Sequence, residues 1–207
     1  MRVLFMDIDK GLESVVKFKG IPKEDGSGFK VMPCRLDLIE VVSAIEPDEW
    51  FDFAGYAYTN HKKYDLIVCD SMTEFINRSV EKAKGDSVYA NKREWGYAYD
   101  KCSRFMRLMA KVPVHKIFLT HETEEKIPVG QDFVVHYSPK IPGQSNNLMQ
   151  ELTNETWRAS VTGGSEDKPP VYFLQCQKSE FVHAKTRSGL NMFEPMNIDK
   201  VFAKMLA

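Results

Sequence analysis

The 207-residue sequence contains no apolar run near the ~18 residues that a bilayer-spanning helix needs. Its opening, MRVLFMD, lacks the extended apolar stretch of an export signal. Cysteine is scarce: Cys34, Cys69, Cys102 and Cys176 lie far apart and form no C-x-x-C pair. That spacing excludes a zinc knuckle and a disulfide framework. Cys69 and Cys176 sit inside apolar stretches and read as small buried hydrophobes. The expectation is a soluble, cytoplasmic chain with no membrane partner. An excess of one charge is missing too, with 28 Lys+Arg against 29 Asp+Glu and a net charge of −1. Nothing draws the whole molecule toward nucleic acid, so any such binding needs a local basic patch. None of the 12 glycines is followed by lysine. This excludes the G-x-x-x-x-G-K-[ST] loop, whose backbone amides and lysine cradle phosphates. There is no internal repeat and no low-complexity tract.

What remains is an ordinary globular composition, 43% hydrophobic and 28% charged, long enough for one domain with a real core. Residues 2–8 (RVLFMDI) read as a strand ending at Asp7 and Asp9. Residues 19–33 hold several Gly and Pro residues and read as loop with a hairpin. Residues 35–46 (RLDLIEVVSAIE) are apolar at 36, 38, 39, 41, 42 and 45, a helical spacing that stops before Pro47. The aromatic stretch WFDFAGYAY (50–58) reads as core or interface material rather than a base-stacking surface. YDLIVCDS (64–71) is a solid apolar run bounded by Asp65 and Asp70, as expected of a central parallel strand covered on both faces. Helices follow at about 72–84 and 92–111, the second with Tyr99, Cys102, Phe105, Met106 and Met109 on one side.

VHKIFLTHE (114–122) reads as a second buried strand, closing on a histidine. The stretch 122–147 is mixed in character and reads as an irregular excursion. TWRASVTG, PPVYFLQCQ and SEFVHAKTR then read as three successive strands, followed by a helix at about 197–206. Helices between strands early and strands gathered late predict an α/β fold with a parallel core and an antiparallel edge.

Three stretches carry chemistry. An apolar strand ending in Asp, here Asp70, places a carboxylate at the C-terminal end of a parallel sheet, where ligands bind; Asp70 or Ser71 equally serves to cap the next helix. His121, at the end of FLTH, sits at the same edge, or satisfies a backbone carbonyl there. In HAKTRSG (183–189), Lys185 and Arg187 alternate and so share a face if the segment is a strand. Such a pair suits an anion, although lysine on a solvated edge strand also discourages aggregation.

The order of MDIDKG, LIVCD, IFLTH, SPKIPG (138–143) and a late K-x-R-x-G resembles the RecA-like ATPase core. Within it, the likeness is to the phage-encoded branch related to single-strand annealing recombinases and to the DnaB/RadA group. The resemblance spans nearly the whole chain, and it implies one RecA-like domain over 1–207 in three layers. It also implies ATP and Mg²⁺ as cofactors. Asp70 would hold the metal with Ser71 beside it, Asp9 would polarise water, and His121 would sense the γ-phosphate. Lys185 and Arg187 would act as a finger pair on the nucleotide of a neighbouring protomer in a ring or filament. The 122–147 excursion would meet single-stranded DNA through Lys126, His136, Tyr137 and Lys140. In a phage-encoded protein all this would take place in the host cytoplasm.

The departure from that family is the missing phosphate-binding loop, which should precede the first strand. Asp9 also stands where the family carries glutamate. Three expectations follow: a chain whose start is placed too late, a loop supplied by a P-loop-bearing partner, or a non-hydrolysing interaction module. As half of a composite ATPase, the chain would donate its Lys/Arg finger in trans.

Overall fold

The computed structural model describes residues 2–9, 21–22, 29–30, 39–44, 46–130, 132–164 and 170–205. Lys10, Gly11 and Cys34 therefore lie outside the described residues. By its internal packing the chain divides into two compact units, Met1–His121 and Glu122–Ala207.

The first unit is built on a four-stranded parallel sheet in the order β4-β1-β5-β6. Its strands are β1 (Val3–Asp7), β4 (Ile39–Ser43), β5 (Leu66–Asp70) and β6 (His115–Phe118), all pairing in parallel. β2 (Ile21–Pro22) and β3 (Phe29–Lys30) form a separate antiparallel pair, the hairpin expected in 19–33. Leu66, Ile67, Val68 and Cys69 of β5 are all buried, as a strand covered on both faces requires. Burial also pushes the Cys69 thiol far above its ordinary pKa, so it is an inert core group.

Three helices connect these strands: α1 (Pro47–Asn60), α2 (Met72–Lys84) and α3 (Lys92–Ala110). Their inner faces meet in an aromatic stack. Trp50 of α1 lies on Phe75 of α2 with ring centroids 3.7 Å apart, and Phe75 meets Phe105 of α3 at 5.0 Å. The Trp50 indole donates to the Ala44 carbonyl at 2.8 Å, so the buried ring leaves no polar atom stranded. Phe53, Ala54 and Ala57 are buried beside it, so the 50–58 aromatic stretch is core. Cys102, Phe105, Met106 and Met109 of α3 are buried as the spacing predicts.

The helix expected over 35–46 is corrected. Within the described part of that segment, Ile39–Ser43 is strand β4, in register with Val3–Asp7. The β-branched run Ile39, Val41, Val42 suits a strand, and the open edge of β1 supplies the partner that helical spacing could not reveal. Pro47, read as a stop, instead begins α1, because proline's missing N–H costs nothing in a helix's first turn. Glu49 closes that end by accepting the Glu46 amide at 2.8 Å.

The second unit holds an eight-residue ribbon of β7 (Glu122–Val129) and β8 (Asp132–Pro139), then helix α4 (Gly143–Leu152). The irregular excursion expected over 122–147 is thus corrected to a regular hairpin and the start of a helix. Its turn passes through Gly130 at φ +66°, a conformation that suits glycine. A three-stranded antiparallel sheet follows, in the order β11-β10-β9, from β9 (Arg158–Thr162), β10 (Val171–Gln175) and β11 (Phe193–Pro195). Helix α5 (Ile198–Met205) ends the unit, with Leu174, Cys176, Leu190 and Val201 forming its core. The α/β class, the parallel sheet and the late antiparallel strands all stand. The strand expected over 179–187 does not form; it makes only the single bridges Tyr137↔Val182 and Thr156↔Lys185.

Candidate functional site

Parallel pairing of β1 with β5 sets Asp7 opposite Asp70 at the C-terminal end of the sheet. The Ile8 amide donates to the Asp70 carbonyl at 2.7 Å and carries the chain past the sheet edge to Asp9. Ser71 caps α2, its hydroxyl accepting the Glu74 amide at 3.3 Å. The same hydroxyl donates to Asp9 Oδ2 at 3.1 Å. His121 approaches from the third strand, its Nε2 lying 3.3 Å from the same Asp9 oxygen.

Backbone bonds hold that approach. Leu119 N–H donates to the Cys69 carbonyl at 3.0 Å, and the Leu119 carbonyl accepts from Met72 N–H at 2.8 Å. His121 N–H then donates to Thr73 Oγ1 at 3.0 Å. β6 itself stops at Phe118, so the strand expected over 114–122 is shorter, and His121 stands on the segment beyond it. Asp9, Asp70, Ser71 and His121 are therefore brought together by the ends of three neighbouring strands and the start of α2.

The electrostatics of this edge are those of excess negative charge. Burial raises the Asp70 pKa, the Asp9 and Asp7 carboxylates raise it further, and His121 opposes them. A site that makes a carboxylate reluctant to ionise is one where a divalent cation would be welcome. Among the described residues no three His, Cys, Asp or Glu side chains form a ready-made metal cage. Mg²⁺ commonly takes one or two carboxylates and completes its shell with water and phosphate oxygens. Asp70 fits such a role. The phosphate cradle itself does not, since no Gly-Lys step exists in the sequence.

Asp7 and Thr73 escaped sequence reasoning as site members. The alternation in MDID was the available signal for Asp7, placing residues 7 and 9 on one side of an extended chain. Thr73 carries no such mark, since only the fold brings it to His121.

In the second unit, Lys185 and Arg187 do not share a strand face, and that expectation is corrected. Glu155 accepts the backbone amides of Arg187 and Ser188, each at 2.9 Å, and turns the chain there. Burial works against the Glu155 charge, but these bonds with those from Ser188, Thr186 and Trp157 outweigh it and lower its pKa. Lys185 Nζ donates to the Gln150 and Thr153 carbonyls at the end of α4, the position a helix dipole favours for a cation. Burial nevertheless lowers its pKa, with Arg187 adding to the effect. Lys185→Met is expected to destabilise the chain by about 1–3 kcal/mol in thermal melts. An unchanged melting temperature would show that these bonds do not support the fold. Arg187 is exposed, its guanidinium meeting Asn154 Oδ1 at 3.1 Å.

The four residues expected to face DNA are spread along the ribbon. Lys126 stands over the Phe133 ring at 4.7 Å. Tyr137 lies under the Arg158 guanidinium at 3.9 Å, and Arg158 also pairs with Glu122, so one face of that ring is taken. His136 lies opposite Glu125 on the other face of the ribbon, and Lys140 follows the end of β8.

No helix among the described residues is long and apolar enough to cross a membrane. A family model described as AAA domain matches residues 1–188. No curated protein matches the chain.

Proposed function

The chain belongs to the AAA domain family, whose members are nucleotide-binding ATPases, and from that premise we propose a RecA-like protein of the phage type that serves DNA recombination or replication. Its first unit carries the metal-holding and water-handling end of a nucleotide site. The observation that carries this reading is the meeting of Asp7, Asp9, Asp70 and His121 at the C-terminal ends of parallel strands.

In this reading Asp70 holds Mg²⁺, which supplies charge neutralisation for the phosphates. Asp9, fixed by Ser71 and His121, is positioned to accept a hydrogen bond from attacking water. His121, more than half exposed, is the group that can turn from Asp9 toward a terminal phosphate. Ser71 keeps Asp9 in place rather than touching ligand, since its hydroxyl is engaged by the cap and by Asp9. The lysine and amides that grip the triphosphate are not in this sequence, so turnover by this chain alone is not expected.

Calorimetric titration with ATP–Mg²⁺ tests the reading. Binding that Asp70→Ala weakens at least tenfold supports it. Absence of binding, or binding that Asp70→Ala leaves unaltered, overturns it and favours an interaction module that keeps the fold without the nucleotide.

A second reading rests on Arg187, exposed, whose guanidinium meets a neutral side chain, Asn154, rather than a carboxylate among the described residues. As half of a composite ATPase it would offer that guanidinium to a nucleotide held by a P-loop-bearing partner.

A further inference from the structure

Helix α3 has a second face that the site does not use. From Lys92 through Lys111 the segment carries Lys92, Arg93, Lys101, Arg104, Arg107 and Lys111 against only Glu94 and Asp100. In a chain of net charge −1 this is a marked local excess. At 100° per residue, Arg93, Arg104, Arg107 and Lys111 fall within about 60° of arc, and Arg93 to Lys111 spans about 27 Å. All four are exposed, while Ala98, Cys102, Phe105, Met106 and Met109 fill the opposite, buried face. Asp100 is the single acid on this cationic ridge.

None of the four cations has a carboxylate partner among the described residues. Arg107 Nε donates to the neutral Ser103 hydroxyl at 3.3 Å, and Arg104 lies on the Phe51 ring with its guanidinium carbon 5.3 Å from the centroid. Elsewhere on the same helices cations are neutralised, as with Lys82 and Lys101 on Asp48 and Arg78 on Glu74. Four residues before Arg93, just ahead of the helix, Tyr89 is 84% exposed. Unpaired cations in a row with an exposed aromatic ring ahead of them match a chain of phosphates bearing unstacked bases.

We infer that this face of α3, with Tyr89 ahead of its first turn, is a binding surface for single-stranded nucleic acid, the phosphates following Arg93, Arg104, Arg107 and Lys111. The inference rests on the nucleic-acid part of the function proposed above, and it moves the contact away from the β7–β8 ribbon. The ribbon carries Glu122, Glu124, Glu125 and Asp132 against Lys126 and Lys140, a balance that repels phosphate. An anionic bilayer is a poorer match, because a helix lying on lipid turns its apolar face outward, and here that face is inside the protein.

Fluorescence anisotropy with a labelled 20-nucleotide oligo-dT, without ATP, tests this over 50–300 mM NaCl. Four phosphate contacts predict a slope of log K against log salt of about −3 for a single strand. Replacing Arg93, Arg104, Arg107 and Lys111 together by alanine keeps good helix formers on an exposed face, so circular dichroism should be unchanged. That variant is expected to lose at least thirtyfold in affinity and most of the salt slope. Tyr89→Ala is expected to lose about fivefold or more with the slope retained, since a stacked base is worth about 1–3 kcal/mol. A quadruple variant that binds like the parent overturns the inference. If Lys126→Ala with Lys140→Ala alone abolishes binding, the ribbon is the contact and only the surface assigned here fails. An intact chain that binds no oligonucleotide overturns the nucleic-acid role altogether. Equally tight, quadruple-sensitive binding to phosphatidylserine vesicles would reassign the ridge to lipid.

Discussion

Phe75→Ala is expected to destabilise the first unit by about 3–5 kcal/mol, as removal of a fully buried aromatic ring usually does. Phe75 has no exposed surface and is the shared member of two aromatic contacts, with Trp50 and with Phe105. Its loss therefore leaves a cavity where α1, α2 and α3 meet, and neither neighbouring ring can fill it without giving up its own seat. At about 2–4 °C per kcal/mol for a chain of this size, the melting temperature should fall by about 10 °C. Phe75→Leu, which keeps most of the volume, should recover a large part of the loss. A small effect of Phe75→Ala in thermal melts would mean that the three helices do not pack as described.

Asp70→Asn is expected to act in the opposite direction on stability while removing the proposed metal ligand. Burial, then Asp9 and Asp7, hold the Asp70 pKa above its ordinary value, with His121 opposing. The folded state therefore binds the proton more tightly than the unfolded chain does. The stability tied to this carboxyl is greatest at low pH, falls as pH rises from the unfolded value near 3.9 through the raised folded value, and stays low above it. Asparagine removes that cost. The variant should melt higher than the parent at pH 7, by a modest amount because the partly exposed carboxyl is screened by solvent. The advantage should vanish by about pH 3, where both carboxyl forms are protonated. Millimolar Mg²⁺ with ATP should raise the parent's melting temperature and leave the variant's unchanged. A variant that melts lower than the parent at neutral pH would contradict the excess negative charge assigned to this edge.

Much of this site was legible in the sequence because its residues end apolar runs. LIVCD could only be a buried strand, and its terminal Asp had to emerge where the sheet opens. MDID and FLTH followed the same logic, and the structure brings Asp9 and His121 onto one shared oxygen. Failures arose where local pattern and tertiary demand diverged. Ile39, Val41 and Val42 have helical spacing, yet the unpaired edge of β1 takes them as a strand. The alternation of Lys185 and Arg187 looked like a strand face, but Glu155, some thirty residues earlier, draws their backbone into a turn. The β7–β8 ribbon was hidden by its many charges and its two prolines, since an exposed two-stranded ribbon has no buried face to impose alternation. The cationic ridge of α3 was present in the sequence throughout. It becomes informative only once the buried face shows which side of the helix points out.

The central claim is that Asp70 and its neighbours form the metal-holding end of a nucleotide site. Electron paramagnetic resonance of Mn²⁺, substituting for Mg²⁺, tests it most directly, because it reports the ion itself. With ATP present, the parent chain should bind Mn²⁺ and shift its spectrum from that of free Mn²⁺–ATP, and Asp70→Asn should abolish the shift. A spectrum that stays that of free Mn²⁺–ATP in the parent, or a shift that survives Asp70→Asn, would contradict the account.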